Sequence, residues 1–251
     1  MTNPLTIKAT RFAIVAMVFA VWELLSRTGM VNPRLLPSAS DTLVTLGDLL
    51  ERASVRSDIL VTGAEVLTAF VIAVPFGALI GLLIAESRYF AEVAKPLLFF
   101  AFSIPKSIFL PMFILVFGVG FAQKVGFGFF STIFIVIMST TTAVESVKPE
   151  NLMVAKSYGA TAAQTVWRVY LPSMLPVLLE ALRISMIFNL TGVMLAEMYA
   201  SREGVGHLIA NWGENFMMRQ LLAGVLMVAA IAIAFNELVR WIETRCSHWR
   251  T

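Results

Sequence analysis

Charged side chains inside long apolar stretches are where this sequence can do chemistry. Lys106 follows Ile104-Pro105 and precedes Pro111, in a run that carries no other charge between Pro96 and Lys124. A charge in an apolar medium is costly, so such a residue is a functional candidate by default. An ammonium there can attract an anionic or carbonyl-rich solute; it can also snorkel to a headgroup or pair with an acid. The nearby prolines leave backbone groups unbonded, and these need a cavity or neighbouring helices. Glu180 and Arg183 lie three apart and can meet on one helix face, as a structural pair or as a solute contact. Glu197, shortly before Gly204-Val205-Gly206, reads either as part of a closing gate or as a solvated end group. Glu65 opens an apolar run and reads as an interface residue.

Catalytic patterns are absent. The sequence has no Gly-x4-Gly-Lys-Ser/Thr phosphate loop, so it does not bind ATP in that way. Gly-x-Ser-x-Gly is missing as well. Two histidines, His207 and His248, are too few and too far apart for a metal site. The single cysteine, Cys246, cannot form an internal disulfide. No basic run or arginine-aromatic patch points to nucleic acid. The expectation is a chain with no catalytic residue, no metal and no cofactor of its own.

The elements that would position these charges are membrane spans. Of 251 residues, 58% are hydrophobic and only 14% charged, with mean hydropathy +0.82. About a quarter of an ordinary soluble domain is charged, so a water-covered fold is nearly excluded. A span needs about 20 apolar residues. Uncharged windows place six of them, at roughly 12–28, 60–85, 96–118, 125–145, 176–198 and 220–242. These are continuous apolar runs without alternation, which excludes a β-barrel. The fold class is therefore an all-α membrane protein of about six transmembrane helices. Gly77-x3-Gly81 in the second permits close helix approach, within the subunit rather than at a dimer seam. Five tryptophans fall mostly near the span boundaries, as aromatic belts do.

Lys8 and Arg11 precede the first apolar run, but no small-x-small cleavage site follows it, so it reads as a retained span. Of the 19 basic residues, Lys106 and Arg183 lie well inside spans and are set apart. The other 17 split ten to seven in favour of cytoplasmic N- and C-termini. Between the first two spans, Thr42 to Leu50 reads as a short amphipathic helix capped by Ser40 or Asp41. The 30-residue connection from 146 to 175 is too long for a simple turn. Pro149 suits the first turn of a helix and Glu150 its positive end. Leu152, Ala155 and Tyr158 then recur on one face, and Gly159 fits a C-terminal cap. Thr161 to Gln164 has the form of a capping box that starts a second helix. Val166, Val169 and Tyr170 share a face on it, and Leu171-Pro172 should end it. Such a helix pair, joined by Gly159-Ala160, can lie on lipid or dock in a groove of a cytoplasmic protein.

Ala155-x3-Gly159, nine residues, and then Val169-x-Leu171-Pro172 resembles the "EAA" loop of binding-protein-dependent ABC importer permeases. That family's pattern is Glu-Ala-Ala-x3-Gly-x9-Ile-x-Leu-Pro; here Met153 stands in place of the usual Glu and Val154 in place of the first Ala. Further stretches over residues 36–245 are similar to the nitrate, sulfonate and taurine branch. They are Leu36-Pro37-Ser38, Ser103-Ile104-Pro105 in a kinked third span, Phe117-Gly118-Val119-Gly120, Ala196-Glu197-Met198 and Gly204-Val205-Gly206. The resemblance implies a type I ABC importer permease fold and a subunit of the bacterial inner membrane. It also implies a homodimer, or more rarely a heterodimer, with the solute path between the permeases. Two cytoplasmic ATPases would hold ATP and Mg, and an external solute-binding protein would deliver the solute. Residues 149–172 become the coupling loop, with Ala155, Tyr158, Gly159, Ala160, Val169, Leu171 and Pro172 at the ATPase. Lys106, Pro105, Arg183 and Glu197 become candidates for the translocation path. The organisation is then an N-terminal segment 1–58, a permease core 59–245 and a tail 246–251. The solute would be an anion such as a sulfonate, taurine or nitrate, or a small heterocycle. A carrier driven by an ion gradient is the competing class; it should show internal repeats and midplane acid pairs, and neither is visible.

Overall fold

The computed structural model describes residues 4–246. Expectations that fall on His248, Trp249, Arg250 and the side chains of Lys8 and Cys246 lie outside the described residues. Among the described residues every regular element is a helix. They are α1 (Pro4–Arg27), α2 (Ala39–Glu51), α3 (Ala53–Ala85), α4 (Arg88–Ser103) and α5 (Leu110–Phe117), the last preceded by a 3-10 turn at Lys106–Phe109. Then follow α6 (Phe121–Glu145), α7 (Pro149–Ser157), α8 (Ala162–Thr165), α9 (Leu171–Tyr199), α10 (Val205–Glu214) and α11 (Met218–Cys246). Among the described residues, five helical stretches are long and apolar enough to cross a membrane, and six if the bent pair is one span.

Three spans differ from their expected form. The second begins at Ala53 rather than 60, because α2 passes into α3 with only Arg52 between them. The third is not one helix over 96–118 but the pair Arg88–Ser103 and Lys106–Phe117, bent by 77°. Pro105 has no N–H and forces the residue before it out of the helical region, and Ile104 is extended at φ −71°, ψ 127°. The fifth starts not near 176 but at Ala163, giving a 37-residue helical run through Tyr199. Leu171-Pro172 does not end the preceding helix as expected. A π-helical turn at Val166–Tyr170, in which Leu171 N–H donates to Val166 O, widens the backbone ahead of the proline ring. Widened turns of this kind are one of the few ways a helix runs past such an obstacle.

The cap of α2 also moves. Ser38, extended and one residue outside the helix, accepts from Asp41 N–H at 3.1 Å. Ser40 is engaged elsewhere: its backbone N–H and its hydroxyl donate to Glu23 on α1, at 3.0 and 2.8 Å. Trp22 Nε1 donates to Pro37 O at 2.9 Å, so one ridge of α1 is tied to the start of α2. Away from that ridge, Phe12, Val15, Met17, Val18 and Val21 of α1 are exposed.

Helices α3, α6 and α9 form the centre. Their outward faces are large hydrophobics such as Leu67, Val71, Leu79, Leu83 and Ile187, all exposed. Their seam is instead small or polar: Thr62, Glu65, Ser131, Thr132, Thr140, Asn189 and Glu197 are buried. In lipid, apolar surface gains nothing by facing another helix, so close packing and hydrogen bonds hold the seam. Asn189 Nδ2 donates to Val66 O at 2.7 Å. Gly77 and Gly81 lie against Val136 and Thr140 of α6, which places this small-x3-small face inside the subunit. A Cβ at Gly81 would stand 2.7 Å from Thr140 Cβ and 2.8 Å from Ile137 O, neither of which can swing away. Gly81→Ala is therefore expected to lower the thermal midpoint in nanodiscs, by overpacking that costs about 1–3 kcal/mol. At Gly63 a Cβ meets nothing within 4 Å, and Gly63→Ala should leave the midpoint unchanged or slightly raised. Equal behaviour of the two variants would refute the close approach.

A second cluster packs α2, α3, α10 and α11 through Leu49, Val55, Ile209, Trp212 and Met227. Trp212 is thus a core residue and not part of an interfacial belt, as its position near a span end suggested.

Candidate site at the coupling loop, the helix break and the buried carboxylates

The connection after α6 is built by its caps. Pro149 occupies the first turn of α7 and Glu150 its N-terminal end. The helix closes with Gly159 N–H donating to Lys156 O at 2.9 Å and Ala160 N–H to Ala155 O at 3.0 Å. This double closure requires a left-handed residue, and Gly159 has φ +68°. Thr161 and Gln164 then form the reciprocal capping box: Thr161 N–H donates to Gln164 Oε1 at 2.9 Å, and Gln164 N–H to Thr161 Oγ1 at 3.3 Å. Leu152, Val169 and Tyr170 pack on Ala143, Val147 and Met174, so the loop sits on the ends of α6 and α9. Ala155 is buried with them. Tyr158 does not share that face as its spacing suggested; it is 88% exposed, because the chain turns away at Gly159. Met153, Val154, Val166 and Trp167 are exposed beside it. Lys95 on α4 and Glu145 at the end of α6 pair across 50 residues just above the loop, with Nζ to Oε2 at 2.6 Å.

At the break in the third span, Pro105 and Lys106 line one cavity of about 310 Å³, together with Phe102, Ser107, Ser131, Phe188 and Thr191. Lys106 Nζ donates to Phe102 O at 3.3 Å and lies 4.3 Å from the centre of the Phe102 ring. It has not paired with an acid: no carboxylate lies within 4.0 Å among the described residues. Arg183 and Glu197 do not line this cavity. Arg183 is half-buried on α9, one turn on from Glu180, which is exposed to a neighbouring cavity of about 290 Å³.

Glu197 is not a solvated end group; it is fully buried. Its Oε1 accepts from Thr62 Oγ1 at 2.6 Å and its Oε2 from Gly206 N–H at 2.6 Å. Thr62 Oγ1 in turn accepts from Val205 N–H at 2.8 Å, and Asp58 Oδ1 accepts from Gly204 N–H at 2.7 Å. The turn ahead of α10 is thus fastened to α3 and α9 through three successive backbone N–H groups. Gly204 has φ +103°, and side chains at Gly204 or Gly206 would collide with Glu197.

Glu65 is likewise not at an interface. It is buried and pairs with buried Lys124 on α6 at 2.7 Å, and it lies beside Glu197. Sequence reading missed this pair because it treated both residues as span ends. The usable signal was that two charges of opposite sign each open a long apolar run.

The pattern that defines the family described as binding-protein-dependent transport system inner membrane component matches residues 73–248. The chain belongs to this family. It is a multi-pass permease subunit of an ABC importer, in a family of transport components rather than enzymes. The permease is 26% identical to the taurine transport system permease protein TauC of Escherichia coli (strain K12) over 239 residues, 93% of this chain and 87% of that one. Against the putative aliphatic sulfonates transport permease protein SsuC of Bacillus subtilis (strain 168), identity is 24% over 235 residues, 94% and 85% of the two chains. The formylaminopyrimidine transport permease protein ThiX of Halalkalibacterium halodurans is 25% identical over 234 residues, 93% of each. In fold the permease resembles the inward-facing MetNI methionine ABC transporter, with TM-score 0.65 at 18% identity, covering 79% of this chain and 96% of that chain. A bacterial ABC transporter of the acidic polysaccharide alginate gives TM-score 0.67 at 15% identity, covering 97% and 99%. The architecture is that of type I importer permeases.

Proposed function

We propose that this permease works as one of two membrane subunits, a homodimer or a heterodimer, enclosing the solute path. Two cytoplasmic ATPase subunits bind ATP and Mg, and an external solute-binding protein loads the path. Its N- and C-termini are cytoplasmic. The observation that carries this reading is the capped loop at 149–172. Two local closures make it rigid, its inner residues are packed on the membrane helices, and Tyr158 and Trp167 stand out from it. A rigid projection with apolar tips fits a groove in another protein, and its continuity with α9 carries motion of that protein directly into a span. ATP-driven closure of the ATPases then moves the loop, and the spans alternate between inward-facing and outward-facing arrangements. The usual Glu of the loop, here Met153, is not needed for this rigidity; no cap involves that side chain. The turn held by Glu197 keeps α10 seated at the end of the path opposite the loop. The solute is small and of the kind handled by the relatives, whose names give taurine, aliphatic sulfonates and formylaminopyrimidine.

Capture of the membrane assembly through this chain tests the proposal. An ATPase should co-purify with the wild-type chain. The Tyr158→Asp/Trp167→Asp variant should lose it by about tenfold or more, since charge in an apolar anchor removes the dominant contacts of a docking surface. The variant's unfolding midpoint should stay unchanged, because both side chains are exposed. Undiminished ATPase recovery from the variant would overturn the docking role.

A further inference from the structure

We infer that the cavity at the break in the third span is a charge-selecting subsite for a small organic anion, with Lys106 as its specificity-determining residue. This rests on the proposal that the break lies on the solute's route, and it narrows the solute to an oxyanion head on a short carbon chain.

Another lysine, Lys124, is buried among the membrane helices, and the contrast between it and Lys106 carries the argument. Lys124 is buried with its counter-ion, Glu65, at 2.7 Å. Lys106 lies in an equally apolar stretch, yet no carboxylate stands within 4.0 Å among the described residues. Among the described residues its one protein acceptor is Phe102 O at 3.3 Å. An ammonium has three donors, so two remain for something else. Around it stand the rings of Phe102, Phe134 and Phe188, with centres 4.3, 5.9 and 6.0 Å from Nζ. Ring faces stabilise a cation without neutralising it. The charge is therefore held in place but left uncompensated, an arrangement suited to an anion that comes and goes.

The walls suit the rest of such a solute. Hydroxyl-bearing Ser107 and Ser131 line the same cavity and can donate to further oxygens of the head, whereas the Thr191 hydroxyl already donates to Ile187 O at 2.8 Å. Phe188 and Leu195 give an apolar surface for a carbon chain. Gly192 lets α9 lie close against α6 at this wall, since a Cβ there would stand 2.5 Å from Ser131 Oγ. At about 310 Å³ the space is at the small end of ligand cavities. An inorganic oxyanion would use the lysine and hydroxyls but leave the aromatic wall idle.

The test uses the assembled transporter, captured through this chain in nanodiscs of phosphatidylcholine alone, with saturation-transfer NMR on ethanesulfonate as the probe. Wild type should transfer saturation to the ethyl protons. Lys106→Met should weaken binding about tenfold, the loss expected for one charge-assisted contact. Lys106→Arg should largely restore it, and the unfolding midpoints of all three should agree. Choline, an alkyl cation of similar size, should give no signal at the site. Inorganic sulfate should compete only weakly. The inference fails if wild type gives no signal, if Lys106→Met binds as wild type does, if choline binds as well as ethanesulfonate, or if sulfate displaces it at equal concentration. An anionic lipid headgroup offers the same head chemistry. If adding phosphatidylglycerol abolishes the signal, the cavity belongs to lipid and the inference is overturned. Lys106-independent binding with the ATPase still co-purifying strikes this inference alone. Loss of the ATPase strikes the importer proposal and leaves the binding result standing.

Discussion

Glu197→Leu should release the turn ahead of α10 and expose it to protease. The carboxylate accepts from Gly206 N–H and from Thr62, both buried, and leucine can accept from neither. A buried donor left without a partner costs about 1–3 kcal/mol, so the two together cost roughly 2–6 kcal/mol. Much of that falls on the local opening of residues 200–206, since Thr62 is also what holds Val205 N–H. Arg202 is exposed in this turn and provides a tryptic site. Its cleavage should accelerate about tenfold for each 1.4 kcal/mol lost, provided the turn opens and closes faster than it is cut. Glu197→Gln, which keeps one oxygen acceptor, should fall between wild type and leucine. Gly206→Ala reaches the same end from the other side. Its Cβ would stand 2.7 Å from both Glu197 Cβ and Met194 O, and neither atom can move alone. Wild-type cleavage in Glu197→Leu would show that the carboxylate does not fasten the turn.

Lys124→Met is the second large effect expected. It leaves Glu65 buried without its cation and beside a second carboxylate, Glu197. Breaking a buried ion pair by removing one partner costs about 3–5 kcal/mol, because the remaining charge stays desolvated. Glu65→Leu strands only the lysine, whose long stem gives its ammonium some freedom to reach water or headgroups. Its loss should be smaller. The double variant Glu65→Leu/Lys124→Met removes both charges together and should recover most of the stability, since apolar replacement of a buried pair is often neutral. Thermal unfolding of the three variants in one lipid checks the order. A double variant as unstable as Lys124→Met would mean that the pair matters through its shape and not its charge.

These two predictions rest on contacts the sequence did not reveal, and the reason is range. The apolar runs, the caps and the loop signature are legible because each is decided within a few residues. Gly159 closes α7 through bonds to Lys156 and Ala155, and Thr161 caps α8 through Gln164. Even the break of the third span is local, since Pro105 dictates the backbone of Ile104. Where local reading went astray, a neighbour from another helix had intervened. Ser40 was drawn to Glu23 and left the capping of α2 to Ser38. The passage of the helix through Pro172 is different in kind: the obstacle was visible in the sequence, but the π-helical turn that absorbs it was not.

By itself, then, the sequence determined that this is an all-α, multi-span chain with a locally capped loop at 149–172, because membrane thickness and capping chemistry act on consecutive residues. Only the tertiary structure decided what the intramembrane charges do. Glu65 meets Lys124 across 59 residues and Thr62 meets Glu197 across 135. Lys106 meets no acid at all among the described residues. A charge in an apolar run reads the same whether it is neutralised, fastened to a turn or left open to a solute. The difference lies in which helix face packs against it, and that is set by the small-residue seam of α3, α6 and α9.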